Sequence, residues 1–185
     1  LFELMEDEGD LAATLIARTA DWRLDRVTRV FEEAGDLIDL LVMRNDFCGE
    51  GMPFLDPDRF ARFALPALRR FVELAHRYGI KVLLETRGFI QPLLPQLIAA
   101  GVDGVHGFDP RYPGLDGRRL KRRYGKKLLL SGMLRQGRAE PETTLDYMVP
   151  GGGFIAAPCA STIESIAAGE LIDLFDRTAA WNRNG

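Results

Sequence analysis

Residues 80–108 read IKVLLETRGFIQPLLPQLIAAGVDGVHGF, and their alternation decides the fold class. Ile80–Glu85 is an apolar run of strand length, Ile90–Ala100 has helical spacing and stops at Gly101, and Val102–Phe108 is a second strand. A strand, a crossover helix and a second, parallel strand is the arrangement this order implies. The same cycle extends in both directions. Upstream, the first 35 residues form a helix on Leu11, Leu15, Ile16, Trp22, Val27, Val30, Phe31 and Ala34, with Gly35 placed as its C-terminal cap. Leu37–Met43 (LIDLLVM) is a continuous apolar run of the kind buried on both faces of a parallel sheet. After a polar loop, Asp56 is placed to cap a helix with Pro57 in its first turn. Its apolar stripe runs from Phe60 to Tyr78, ends at Gly79, and is kinked by Pro66. Downstream come a basic helix over 115–124, the strand KKLLLSG at 126–132 and a short helix over 141–148. The strand GGFIAAP at 152–158 and a closing helix over 163–181 complete the chain, with the triple glycine at 151–153 as a tight helix-to-strand turn.

Five βα units make an α/β fold, either a small open sheet or part of a (β/α)₈ barrel. A complete barrel needs roughly 250 residues and eight strands, and this chain has 185 residues. No GxGxxG or GxxxxGK[ST] stretch is present, so the nucleotide-binding versions of the open sheet lose support. Composition excludes other classes. With 46% hydrophobic and 28% charged residues the chain can build a core and is not disordered. A net charge of −3 provides no footprint for nucleic acid, and no apolar run is long enough to span a bilayer. Glu3, Glu6, Asp7 and Glu8 are the reverse of a basic signal-peptide start. Two cysteines make no disulfide framework, so a reducing, cytoplasmic setting is expected. The chain begins at Leu1 and not at Met, as a piece of a longer protein would.

In parallel sheets the reactive groups gather past the C-terminal strand ends. Those ends supply Asn45 and Asp46; Glu85, Thr86 and Arg87; His106 and Asp109; Ser131, Gly132 and Arg135; Pro158 and Cys159. Asp46 is placed to orient substrate or move a proton, or to accept backbone N–H groups of its own loop. Glu85 and Arg87 flank Thr86 and share a face by strand alternation, as an ion pair or an anion clamp. His106 is one of two histidines; His76, in a long amphipathic helix, reads as structural. Cys159 precedes a helix and can serve as nucleophile or metal ligand. No CxxC, HxC or HExxH spacing writes a zinc site from the residues alone.

The stretch NDFCGEGMPFLDPDRFARFALPALRRFVELAHRYGIKVLLETRGFIQPLLPQLIAAGVDGV (45–105) resembles the uroporphyrinogen decarboxylase superfamily, which includes the corrinoid- and thiol-linked (coenzyme M) methyltransferases. The resemblance rests on Asp46, Gly49, Asp56-Pro57, Phe60, Phe63, Pro66, the strand to Glu85, Gly88 and Gly101-Val102-Asp103. LKRRYGKKLLLSG and GGGFIAAPCAS are similar to later strands of the family's barrel. It implies a TIM (β/α)₈ barrel of the uroporphyrinogen decarboxylase type, with residues 1–185 as the C-terminal part of that single domain, about five βα units long.

The positions that separate the branches are mixed. Methyltransferases of the family carry His-x-Cys where Glu85-Thr86-Arg87 stands, and Cys159 occupies the position of their later zinc-binding cysteine. The decarboxylases carry a histidine at Cys159, a serine at Asp46 and GNMDP where GMLRQ stands. The resemblance therefore implies an enzyme leaning to a methyltransferase-like member that acts on a small molecule. A porphyrinogen decarboxylase, a lyase of porphyrin biosynthesis, and a non-catalytic ligand-binding relative are the alternatives. Asp46, Glu85 and Cys159 are the expected catalytic residues, and Arg87, Thr86, His106 and Phe47 the expected substrate contacts. Cys159 and Glu85 are the candidate donors should zinc be used, with Asp46 or His106 completing the set. A small-molecule substrate is expected, together with a corrinoid protein if methyl groups are transferred; nucleic acid and membrane are not expected, and a homodimer is left open.

Overall fold

A computed structural model of the chain describes residues 1–49, 51–134, 141–158 and 167–184. Helices α1 (Phe2–Asp7) and α2 (Gly9–Ala34) precede strand β1 (Leu40–Arg44). Then follow α3 (Pro57–Phe63), α4 (Leu65–Arg77), β2 (Lys81–Glu85), α5 (Leu94–Ala99) and β3 (Gly104–Phe108). The chain continues through α6 (Gly117–Tyr124), β4 (Leu129–Leu134), α7 (Pro141–Met148), β5 (Phe154–Pro158) and α8 (Ala168–Asn184). The strands form one parallel five-stranded sheet in the order β1-β2-β3-β4-β5, with βα units alternating along the chain. Sequential order is what short right-handed crossovers produce.

Several local expectations are corrected. Leu37–Met43 is not buried on both faces. The strand starts at Leu40, and Leu40 and Val42, which share one face of it, are 43% and 50% exposed; among the described residues nothing covers that face of β1, the first strand in the sheet order. Gly35 does cap α2 as the sequence places it, its N–H donating to Phe31 O, but without a left-handed turn. It lies in the right-handed region and opens a 3-10 turn; its missing side chain makes room for the Tyr78 ring, which would stand 3.1 Å from a Cβ there. Pro66 divides the helix at Ala64 into α3 and α4 instead of kinking one helix, because its ring cannot donate into the preceding turn. Pro92 and Pro95 likewise reduce the expected helix over 90–100 to a 3-10 turn at Gln91–Leu93 and the short α5. Lys127 and Leu128 N–H groups return to Tyr124 O at 2.8 and 2.9 Å to close α6, so β4 begins later than expected and runs to Leu134. The Asp56 cap stands as read, with Oδ1 accepting from Asp58 and Arg59 N–H at 2.9 Å each. The closing helix starts at Ala168; residues 159–166, Cys159 among them, lie outside the described residues.

The chain divides into two compact units. The first comprises Leu1–Met43, Leu55–Leu83 and Pro92–Val102. Its core is Phe31, Phe60, Phe63, Leu68, Val72, Ala75 and Leu97, all buried, with Phe31 tilted on Tyr78 at 5.5 Å. Exposed ion pairs Arg59–Glu6, Arg62–Asp10 and Arg70–Asp21 join its helices. The second comprises Arg44–Phe54, Leu84–Gln91 and the chain from Asp103 onward. There Leu134, Leu145 and Leu174 form a buried cluster flanked by Val149, Phe154, Ala156 and Trp181. Arg177 clasps Glu142 through two bonds of 2.9 and 2.6 Å, joining α8 to α7. Among the described residues no helix is long and apolar enough to cross a membrane.

Candidate functional site

The C-terminal ends of β1, β2, β3 and β4 all belong to the second unit. Asn45 N–H donates to Glu85 O and Thr86 N–H to His106 O, both at 3.0 Å. In a parallel ladder these slanted bonds seat Glu85 laterally between Arg44 and His106. His106 is paired in register with Ser131, and Ser131 with Ile155. Residues in register share a face, so Arg44, Glu85, His106 and Ser131 form one polar row across four strands. Adjacent members touch in pairs. Arg44 Nε lies 3.6 Å from Glu85 Oε1, and His106 Nδ1 lies 3.0 Å from Ser131 Oγ.

Two residues further along, Asp46 Oδ1 accepts the Arg87 N–H at 3.0 Å. Asp46 and Arg87 are exposed and side by side, and the carboxylate fixes the main chain that carries the guanidinium. Thr86 is placed otherwise than expected. It is 2% exposed and serves the main chain, accepting from Phe47 N–H at 3.4 Å and donating to Arg87 O at 3.3 Å. Phe47 is half-buried and its carbonyl accepts the Phe54 N–H at 2.9 Å, closing the loop after β1. Cys48 in that loop is buried, and burial first, then the Asp46 charge, pushes its thiol up to about 12. A protonated thiol is neither nucleophile nor metal ligand at neutral pH.

Two glycines make the close approaches. Gly88 has φ of +86°, and a Cβ there would meet Cys48 O at 2.6 Å, so the loops after β1 and β2 meet backbone to backbone. Phe89 N–H seals that contact on Gly49 O at 2.9 Å. Gly107, at φ +116°, is the bulge that shifts the register between His106 and Phe108, and a Cβ there would overlap Thr86 O. Bulges at strand ends re-aim the residues beside them, and here those are His106 and Phe108. Among the described residues Met133, next to Gly132 on β4, is the non-glycine residue with positive φ, +66°, and is buried.

The sequence placed Asp46, Glu85, Arg87 and His106 at strand ends, and the structure brings them to neighbouring ends of one sheet. Arg44 and Arg111 were missed. Arg44 was legible only by extending the alternation one residue past Met43. Arg111 follows the strand end in the run FDPR, where aspartate before proline marks a turn. Asp109 is 2% exposed and accepts Arg111 N–H through Oδ1 at 2.9 Å and the Arg111 side chain through Oδ2 at 3.0 and 2.9 Å. Among the described residues no group of three or more His, Cys, Asp or Glu is arranged to hold a metal ion. Glu85 is engaged by Arg44, Asp46 by main chain and His106 by Ser131, so the described donors do not fit a zinc site.

No family model matches the chain, and no curated protein matches it. Among solved structures, a methyltransferase from Methanosarcina mazei matches 98% of this chain with a TM-score of 0.72 at 15% sequence identity. The likeness is one of fold. The chain spans about half of that protein's length, 52%. The shared architecture is α/β, a five-stranded parallel sheet with alternating βα units, as in part of a TIM-like barrel. A candidate fructose-1,6-biphosphate aldolase from Coccidioides immitis matches at a TM-score of 0.43 and 15% identity over 83% of this chain and 61% of its own, which is too distant to inform the fold.

Proposed function

We propose that the chain is the later part of an eight-unit barrel of the uroporphyrinogen decarboxylase type. In this reading it is a methyltransferase-like enzyme acting on a small molecule that carries a thiol and an acidic group. The observation that carries the reading is the polar row Arg44, Glu85, His106 and Ser131 at the C-terminal strand ends of a fold shared with a methyltransferase. In such sheets that end holds the site.

The chemistry proposed runs through this chain's own side chains. Arg87, its main chain fixed by Asp46, holds the acidic group of the substrate. The acceptor S–H gives its proton to His106 Nε2, the nitrogen not engaged by Ser131. The sulfur lone pair then forms the S–CH₃ bond while the donor–CH₃ bond breaks and its electron pair stays on the donor. A corrinoid protein is the proposed donor. Glu85, pinned by Arg44, stabilises the imidazolium beside it. Cys159 stands as a further candidate of this site from the sequence.

The test is incubation of the full chain with methylcobalamin and small thiols bearing a carboxylate or sulfonate, following loss of the methylcobalamin spectrum. Thiol-dependent demethylation that falls at least about 100-fold in His106→Gln supports the reading, since a general base contributes about 10²–10⁴-fold. Demethylation of none of the thiols, with carboxylate loss from uroporphyrinogen instead, replaces it with the decarboxylase.

A further inference from the structure

Arg111 has no part in the chemistry above, yet its setting is that of a built anion anchor. We infer that Arg111 binds an oxyanion of the substrate, a carboxylate or a phosphate, at a point separate from Arg87; this rests on the strand-end site proposed above. Asp109 is an ionisable residue 2% exposed directly after β3. Taking a carboxylate out of water is costly, and a buried ion pair is a poor way to add stability. What Asp109 does supply is orientation. One oxygen accepts the Arg111 main-chain N–H and the other takes Nε and Nη2 at 3.0 and 2.9 Å, so both ends of the arginine are fixed.

A guanidinium carries five N–H groups. The Asp109 pair takes two of them, leaving three, and the Arg111 side chain is 38% exposed against 3% for its partner. A planar fork held in one geometry and open to solvent suits a bidentate oxyanion. Position agrees. The pair sits at the β3 end next to the β2 end that carries Arg87, and the loops after the two strands touch where Gly114 faces the Phe89 ring. Two cations on adjacent strand ends match a ligand with two acidic groups, or with an acidic group and a phosphate.

The experiment is calorimetric titration of the full chain with succinate and, separately, inorganic phosphate. Saturable binding by the wild type is expected. Arg111→Gln should raise Kd at least about tenfold with an unchanged circular dichroism spectrum. Arg111→Lys keeps the charge without the fork, should fall between the two, and decides the matter if Arg111→Gln does not fold. Arg118→Gln, on the exposed side of α6, should bind as wild type does. Preference for succinate identifies a carboxylate, and preference for phosphate a phosphoryl group. Wild-type Kd in both Arg111 variants overturns the inference, and if Arg87→Gln alone abolishes binding the strand-end site stands without it. Absence of saturable binding of either anion to the wild type also overturns it, leaving the methyl-transfer assay to judge the reading beneath.

Discussion

Cys48 shows how a residue's surroundings decide its chemistry. The loop after β1 buries it and sets Asp46 two residues away, and both effects favour the neutral thiol. Its pKa is raised from 9.0 to about 12 in the folded protein, so this group's stabilisation is complete below about 9 and is lost as pH rises toward 12. At pH 8, iodoacetamide should therefore leave Cys48 unmodified in the native protein and label it after unfolding, as read by peptide mapping. Rapid native labelling at Cys48 would contradict the burial. Gly107 is the sharper steric case. An alanine there must hold φ near +116° and overlap Thr86 O, so Gly107→Ala should lower stability by more than about 2 kcal/mol. The urea midpoint measures it, and a loss under about 0.5 kcal/mol would show that the bulge at the β3 end is not fixed as described.

At the scale of elements, α7 and α8 are joined by Glu142 and Arg177. The hydrogen bonds from Arg177 hold the Glu142 carboxyl below its ordinary value, outweighing the opposing effect of burial. A depressed carboxylate adds stability above its unfolded pKa, and that stability is lost as pH falls through the folded one. Both side chains are about one-third exposed, so screening keeps the contribution to about 0.5–1 kcal/mol. Glu142→Gln should cost that much at pH 7, and the difference from wild type should shrink as pH falls below the ordinary carboxylate range; a gap independent of pH would point to packing instead. The same scale shows what was legible in the sequence. Five strands followed from period and punctuation, because turns and caps are local chemistry: Asp56-Pro57 and Gly101 marked helix boundaries correctly. Helix continuity was misread at Pro66 and Pro92, where missing N–H groups split the elements. β1 was misread because an apolar run carries no mark of whether both its faces will be covered. At the site, strand alternation placed Glu85 and His106 and set Thr86 on the face opposite Glu85 and Arg87; what the pattern does not encode is that the Thr86 hydroxyl bonds main chain there.

Across the whole molecule, apolar side chains stay open on both outer strands of the sheet. Leu40 and Val42 on β1 and Ile155 on β5 are 43%, 50% and 49% exposed. Uncovered edge strands with apolar faces are templates for association. The 185-residue chain by itself should therefore self-associate or dissolve poorly, as size-exclusion chromatography with light scattering would show. A monodisperse monomer with one cooperative unfolding transition would contradict the barrel-portion reading. That reading and the strand-end site meet in one measurement, the rate of methyl transfer from methylcobalamin to an acidic thiol by the full protein and by His106→Gln. Thiol-dependent transfer that the variant loses by at least about 100-fold is the expected result; a rate unchanged by the substitution, or none in the wild type, would contradict the assignment.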